Sequence, residues 1–285
     1  MSPPLRARLP RLATGALLAT PIALVAYRRG ALDRNGAGAS VAVGTVVFAA
    51  GGLAWSLPMI GFFVSASALT KLGTGRRRRR VPSPASTDRS ARTARQVLAN
   101  GGVAAVLASY RFLCPGRADL TVPYLGAIAT AAADTWGTEL GMLSPEQPRS
   151  LRTGRPVAPG TSGAVSTVGI LATAAGAGLV ALLAPRTVRR WPILVAGCLG
   201  ALVDSLLGAT LQVRYRCPHC GRILEERAHG CSGKVHRASG LPGLTNDAVN
   251  LIATASGALL AAVLARLSRP VVRAPRAGRI AGPGR

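Results

Sequence analysis

Acidic residues are scarce in this chain: ten Asp and Glu stand against 35 Lys and Arg in 285 residues, a formal charge of +25. Aromatic residues are only 4% of the total, and there are three histidines. So large a positive excess raises the question of nucleic acid. The basic residues lie between apolar blocks rather than along one soluble face, which argues for lipid headgroups as counterions and no nucleic-acid partner. No G-x-x-x-x-G-K-[ST] segment is present, so a P-loop nucleotide site is excluded. His219, His229 and His236 share one hydrophilic loop, and no Ser-His-Asp or Cys-His nucleophile arrangement is evident. Nothing suggests a secreted disulfide framework, and Cys114 and Cys198 read as isolated packing cysteines.

What the chain has is apolar residue in long uncharged blocks, 49% of the sequence in all. They run from Leu12 to Tyr27, Gly36 to Thr70, Gln96 to Tyr110, Leu120 to Ala133, Pro156 to Pro185, Trp191 to Val203 and Ala248 to Ala265. Such segregation marks membrane spans, since a hydrocarbon core of roughly 30 Å needs about 20 helical residues. The block from Gly36 to Thr70 would be roughly 52 Å long as one helix, so it is expected to be two short helices bending near Gly51 and Gly52. The expected fold is an all-α polytopic transmembrane helical bundle of about eight spans, or seven without the bend. Residues 1–35 form an N-terminal anchor with a basic flank, 36–267 the membrane domain, 214–244 a cytoplasmic Cys/His loop inside it, and 268–285 a basic, disordered tail.

Arg6, Arg8 and Arg11 precede the first apolar run as in a signal peptide, but Arg28 and Arg29 follow without a small-residue cleavage site, so an uncleaved anchor is expected. The most basic loop carries Lys71, Arg76 to Arg80, Arg89, Arg92 and Arg95, and the positive-inside rule puts it in the cytoplasm of a multi-pass cell-membrane protein. With an even number of spans the Arg-rich tail after Leu267 falls outside, against that rule.

A weak internal repeat runs through the second half, with a polar helix start, a helix pair and an Asp-containing helix end. Asn100-Gly101-Gly102-Val103 opens one unit and Ala133-Asp134-Thr135 closes it. The segment from Pro159 to Val165 opens the next, which ends at Val203-Asp204-Ser205, and Pro242 to Val249 opens a third. Two spans per unit make the repeats parallel, so the polar ends share one face of the membrane and one pocket could collect Asp134, Asp204, Asn100, Ser162 and Asp247. Gly and Ala recur at Gly169, Ala172 and Gly176 and again at Ala196, Gly197 and Gly200, which permits close helix approach.

Asp134, Glu139, Asp204 and Asp247 lie within or against apolar helices, where a carboxylate costs several kcal/mol unless it is partnered. Asn246, Asp247, Asn250 and Thr254 share a helix face, as do Arg92, Gln96 and Asn100, and as do Ser67, Thr70 and Lys71. Asp134 and Glu139 are about 140° apart on an ideal helix, so both are expected to reach one pocket only if the helix breaks or ends near Gly137. Carboxylates and carboxamides with Lys and Arg, beside Gly-rich helix N-termini, are what a magnesium-bound phosphate needs. Cys217, Cys220, His229 and Cys231 form a plausible structural zinc set, with a redox pair as the competing reading and His236 as an alternative to His229.

Six segments in order resemble the integral membrane family known as Domain of Unknown Function 92, which includes the plant phytyl-phosphate kinase of tocopherol synthesis. They are Phe62 to Lys71, Gln96 to Gly102, Ala133 to Gly141, Pro159 to Ser166, Asp204 to Gln212 and Thr245 to Asn250, within a match over roughly residues 36–265. The resemblance implies a Mg2+-dependent transfer of a phosphoryl group from a nucleoside triphosphate to an isoprenoid monophosphate held in the lipid bilayer. On that basis Asp134, Asp204 and Asp247 are assigned to magnesium, with Lys71, Asn100 and Glu139 beside them as catalytic candidates. Arg92, Arg149, Asn246, Asn250, Ser205 and Gln212 are the substrate-binding candidates. The alternative is a lipid or small-anion transporter, which also uses parallel repeats but places its polar residues at the midplane. A non-catalytic membrane scaffold is a third reading, and it leaves the buried acids unexplained.

Overall fold

The computed structural model of the protein describes residues 8–80, 91–117, 119–221, 223–225 and 234–268. Among them are seven helices: α1 (Leu9–Arg28), α2 (Arg34–Arg80), α3 (Ala94–Leu113), α4 (Thr121–Gly141), α5 (Thr167–Leu183), α6 (Trp191–Thr210) and α7 (Asn246–Leu267). The first, second, sixth and seventh are long and apolar enough to cross a membrane, and α5 is a shorter apolar helix of 17 residues. Large apolar side chains such as Leu17, Val106, Leu171 and Leu259 face outward, the pattern of a surface solvated by lipid.

α2 is two arms. Gly52 adopts φ 58° and ψ −149°, a conformation open to glycine and costly for any L side chain, and the helix reverses there. The backbone opened by this break is satisfied in place: Arg111 Nε donates to the Ala50 carbonyl at 3.2 Å, and the Tyr124 hydroxyl donates to the Trp55 carbonyl at 2.7 Å. Tyr124 and Trp55 also stack, 4.2 Å between centroids, with the Arg111 guanidinium over the Trp55 ring. The bend expected near Gly51 and Gly52 is therefore present.

The bundle has two distinguishable ends. At one, Arg8 before α1 donates to the Phe112 and Leu113 carbonyls at the close of α3. At the other, Lys71 near the end of the second arm of α2 donates to the Arg29 carbonyl at 2.7 Å, and Thr70 donates to Glu139 on α4. α3, α5 and α7 start at this second end, each behind a hydroxyl N-cap: Thr93, Ser166 and Thr245.

α4 is the axis, packed against α2, α3, α5, α6 and α7. Close approach comes from residues without bulk. A Cβ on Gly200 would meet Thr130 Oγ1 at 2.2 Å, and one on Gly176 would meet the Ala132 carbonyl oxygen at 2.6 Å. In a membrane, where burial gains little over lipid, such contact supplies the association energy.

The structure departs from an all-α expectation at the second end. Residues Arg149–Ser150 (β1) and Ala164–Val165 (β2) pair antiparallel, and Arg214–Arg216 (β3), Ile223–Leu224 (β4) and His236–Ser239 (β5) form a sheet of order β4-β3-β5. Their backbone groups pair because these stretches lie outside the helices and have no helical partner. His229, Cys231, Arg89 and the tail from 269 to 285 lie outside the described residues, as do the side chains of Arg76 to Arg80.

Candidate functional site

Along α4 every residue from Leu125 to Ala133 is buried, and the only polar side chain among them, Thr130, donates to the Gly126 carbonyl at 3.0 Å. Asp134 is the next residue, at the point where the helix emerges from its neighbours. Asp204 stands beside it on α6, which also packs on α4. Both line a cavity of about 260 Å³, together with Glu139, Ser205, Asn246, Asn250 and Glu225.

The cavity wall facing α6 is the loop from Pro159 to Ser166. Gly163 has φ +72°, and a Cβ there would meet the backbone nitrogen of Ala209 at 2.6 Å, so only glycine lets this loop lie on α6. Arg214 clamps the contact, its Nη2 donating to the Ser162 carbonyl at 3.1 Å and the Gly208 carbonyl at 2.9 Å. Ser162 Oγ in turn donates to Gln212 Oε1 at 3.1 Å.

Negative charges crowd around Asp204. Asp204 feels the negative charges of Asp134 and Glu225. Its Oδ2 is shut off from solvent and has no hydrogen-bond partner among the described residues, as is also true of Gln212 Nε2. An orphaned carboxylate oxygen facing like charges calls for a cation, because a buried anion is stable only when compensated. The donor set is all oxygen and amide, which suits a hard divalent ion. Among the described residues no three Asp, Glu, His or Cys side chains form a ready metal cage. Magnesium fits such a site better than calcium, since it is ordinarily held by one or two carboxylates plus phosphate oxygens and water.

Arg92 is placed by backbone. Its N–H donates to the Ala31 carbonyl at 3.0 Å, its carbonyl accepts from the Asp33 N–H at 3.1 Å, and Gly36 leaves room for that carbonyl. The guanidinium lies over Phe63, 5.8 Å from the centroid, and donates to Ser67 Oγ at 3.4 Å. Burial lowers its pKa from the ordinary guanidinium value, and the charge of Glu139 acts in the opposite direction. Arg92, Gln96 and Asn100 line a second, mainly apolar cavity of about 440 Å³ between α1, α2 and α3. Thr135, next to Asp134, lines both cavities.

The structure spreads the expected site residues more widely than one pocket. Asp247 does not line the carboxylate cavity: one residue on from Asn246, it is turned about 100° around α7. Asn100 belongs to the apolar cavity, with Nδ2 donating to the Gln96 carbonyl at 3.1 Å. Lys71 lines neither cavity, and its ammonium satisfies the open carbonyl of Arg29 beyond α1. Arg149 donates to the Gly154 carbonyl at 3.1 Å on the exposed side of its turn, outside the cavity. Gln212 stands behind Ser162 rather than on the cavity surface. Asp134 and Glu139 both line the cavity although α4 runs unbroken to Gly141, because the cavity wraps round the helix end.

Glu225 and Arg214 were missed. Both sit in a hydrophilic stretch with many charges, and only the scarcity of acids could have drawn attention to Glu225. Cys217 is buried, Cys220 is exposed, and the Gly221 N–H donates to the Cys217 carbonyl at 2.9 Å, closing a tight turn between them.

A family model described as integral membrane protein DUF92 matches residues 17–258. The chain belongs to this family. Protein PGR of Arabidopsis thaliana is similar to it, 32% identical over 272 residues that cover 85% of this chain and 92% of the plant protein. An uncharacterized membrane protein of Methanocaldococcus jannaschii is 29% identical over 209 residues, covering 71% of this DUF92 chain and 84% of the archaeal one. No solved structure matches.

Proposed function

We propose that this DUF92 protein is a membrane-embedded isoprenoid-phosphate kinase that works in the carboxylate cavity. The observation that carries the reading is the buried Asp204 Oδ2, unpartnered among the described residues, in a cavity shared with Asp134, the glycine-bearing loop from Pro159 to Ser166, and the amides of Asn246 and Asn250. Eight membrane crossings, counting the arms of α2 separately, put the ends of α4 and α6 and the starts of α3, α5 and α7 on one side. The parallel repeat accounts for that arrangement, and the basic loops put the side in the cytoplasm, where nucleoside triphosphate is available.

In the reaction an oxygen of the prenyl monophosphate attacks the γ-phosphorus, the bond from that phosphorus to the bridging β-oxygen breaks, and nucleoside diphosphate leaves. The acceptor phosphate has a second pKa of about 6, so it is largely ionised at neutral pH and needs no strong base. Catalysis is then mainly positioning and charge neutralisation. Asp134 and Asp204 would hold Mg2+, which supplies charge neutralisation to the phosphates. Ser162, Asn246 and Asn250 orient phosphate oxygens, the N–H groups of the glycine-bearing loop add donors, and Arg92 marks the side from which the acceptor's charge is approached.

The transporter alternative is disfavoured by the stretch from Leu125 to Ala133, which is buried and carries a single polar side chain, Thr130, bonded within its own helix. Purified protein is to be incubated with geranylgeranyl or phytyl monophosphate, Mg2+ and labelled CTP or ATP. Labelled prenyl diphosphate is the expected product, and its absence with every donor and chain length removes the kinase reading. Uptake of prenyl phosphate into sealed vesicles without product would establish the transporter instead.

We also propose structural zinc on Cys217 and Cys220 with His229 and Cys231, supported by the turn that the Gly221 N–H closes. Metal analysis should show about one zinc per chain, lost in the Cys217→Ser, Cys220→Ser double variant; an unchanged zinc content refutes it.

A further inference from the structure

The carboxylate cavity is polar, so it leaves unanswered where the hydrocarbon part of an isoprenoid acceptor would lie. The neighbouring cavity of about 440 Å³ has the right polarity and position. Its walls come from α1, both arms of α2 and α3, and its charged and amide groups, Arg92, Gln96 and Asn100, are gathered at the end nearest Glu139. From Phe63 beside Arg92 it descends along the second arm of α2 to Leu53 at the bend, roughly 15 Å along the helix axis. Ile128 of α4 contributes to the wall, and Thr135 borders both this cavity and the carboxylate one.

We propose that this apolar cavity is the chain-binding site of the enzyme, holding a single linear isoprenoid with its phosphate at Arg92 and Asn100 and the reacting oxygen turned past Thr135 toward Asp134 and Asp204. The proposal rests on the isoprenoid-phosphate kinase reading for its choice of occupant. Charge complementarity supports it, since among the described residues the only cation on the cavity wall, Arg92, is at one end, where a monoanionic or dianionic head would sit. α1 bears partly exposed lining residues, Leu18 at 44% and Ile22 at 39%, so the chain can pass in from the bilayer without crossing water.

A chain arriving from lipid gains little from apolar burial, because lipid tails are as apolar as the cavity wall. The cavity therefore selects by shape and length rather than by hydrophobicity. The floor is set by Phe48 of the first arm and Ser56 of the second, and Ser56 is buried, only 8% exposed. A Ser56→Phe substitution raises that floor and Phe48→Ala lowers it.

The test uses the full chain in nanodiscs and a geranylgeranyl monophosphate carrying a diazirine at its distal isoprene. Crosslinks are expected on α2 near Leu53 and Ser56 or on α1 near Gly15, suppressed by unlabelled geranylgeranyl monophosphate and not by phosphatidic acid. Label on the outer faces of α5 or α7, or equal suppression by phosphatidic acid, overturns the proposal. In parallel, Ser56→Phe should reduce product from the twenty-carbon acceptor at least tenfold and leave the ten-carbon acceptor within twofold, while Phe48→Ala should favour longer acceptors. Equal loss for all lengths in Ser56→Phe, with Phe48→Ala leaving length preference unchanged, also overturns it. Specific crosslinking without any diphosphate would retain the chain site and reject the kinase reading; diphosphate formation with crosslinks elsewhere would do the reverse.

Discussion

Cations at both ends of the bundle donate to backbone carbonyls, but among the described residues one end also gathers carboxylates into a cavity. At the end bearing the α2 bend, Arg8 and Arg111 donate to backbone carbonyls, and Tyr124 does likewise, so each polar group is spent on an opened piece of main chain. At the other end Asp204 Oδ2 has no partner among the described residues and shares a cavity with Asp134, Glu139 and Glu225. At the first end these donors are matched by carbonyls of the chain itself. The second leaves that buried oxygen unsatisfied among the described residues, and that difference separates scaffold from site.

Asp204→Asn probes the sharpest side of the contrast. It should cut prenyl diphosphate formation by about a hundredfold or more, the size of effect expected when a group that organises phosphate charge is removed. The thermal midpoint should hold or rise, since the amide removes an uncompensated charge; a variant that retains full activity breaks the comparison. Gly200→Leu comes next, because it forces a side chain against Thr130 in the shared core below the site. Overpacking there should cost about 1–3 kcal/mol, seen as a lower unfolding midpoint in detergent, with activity falling in step with folded protein.

At the opposite end, Arg111→Met removes a carbonyl partner and a cation over Trp55. The expected loss is about 1–2 kcal/mol of stability with kcat and KM unchanged. A change in kcat without a change in stability would erase the distinction between the ends. Lys71→Ala should do least, within about 0.5 kcal/mol and with unaltered turnover, because its partner is an exposed carbonyl. A large loss of activity would return Lys71 to the site.

Much of the fold is legible in the sequence. Long uncharged blocks announce helices, and a run from Gly36 to Thr70 too long for one crossing, with Gly51 and Gly52 inside it, announces the bend. Asp134 and Asp204 were conspicuous because acids are rare here and these two interrupt apolar helices. Their amide companions Asn246 and Asn250 were readable from helical spacing, and both reached the cavity. Asp247, Lys71 and Arg149 were not separable from them, since spacing along a helix gives relative direction but not which direction faces a neighbour. The small sheets and Glu225 were hidden in loops, where hydrogen bonding to distant strands overrides local pattern.

Composition and periodicity alone thus determined that this DUF92 chain is a membrane protein of packed, small-residue helices with a few costly acids near their ends. Only the tertiary structure decided which of those acids share a cavity, that Arg92 and Asn100 line a separate apolar chamber, and that Thr135 borders both. The physical reason is that desolvation cost is local and can be read residue by residue. Its compensation depends on groups far apart in sequence that meet only when the helices pack.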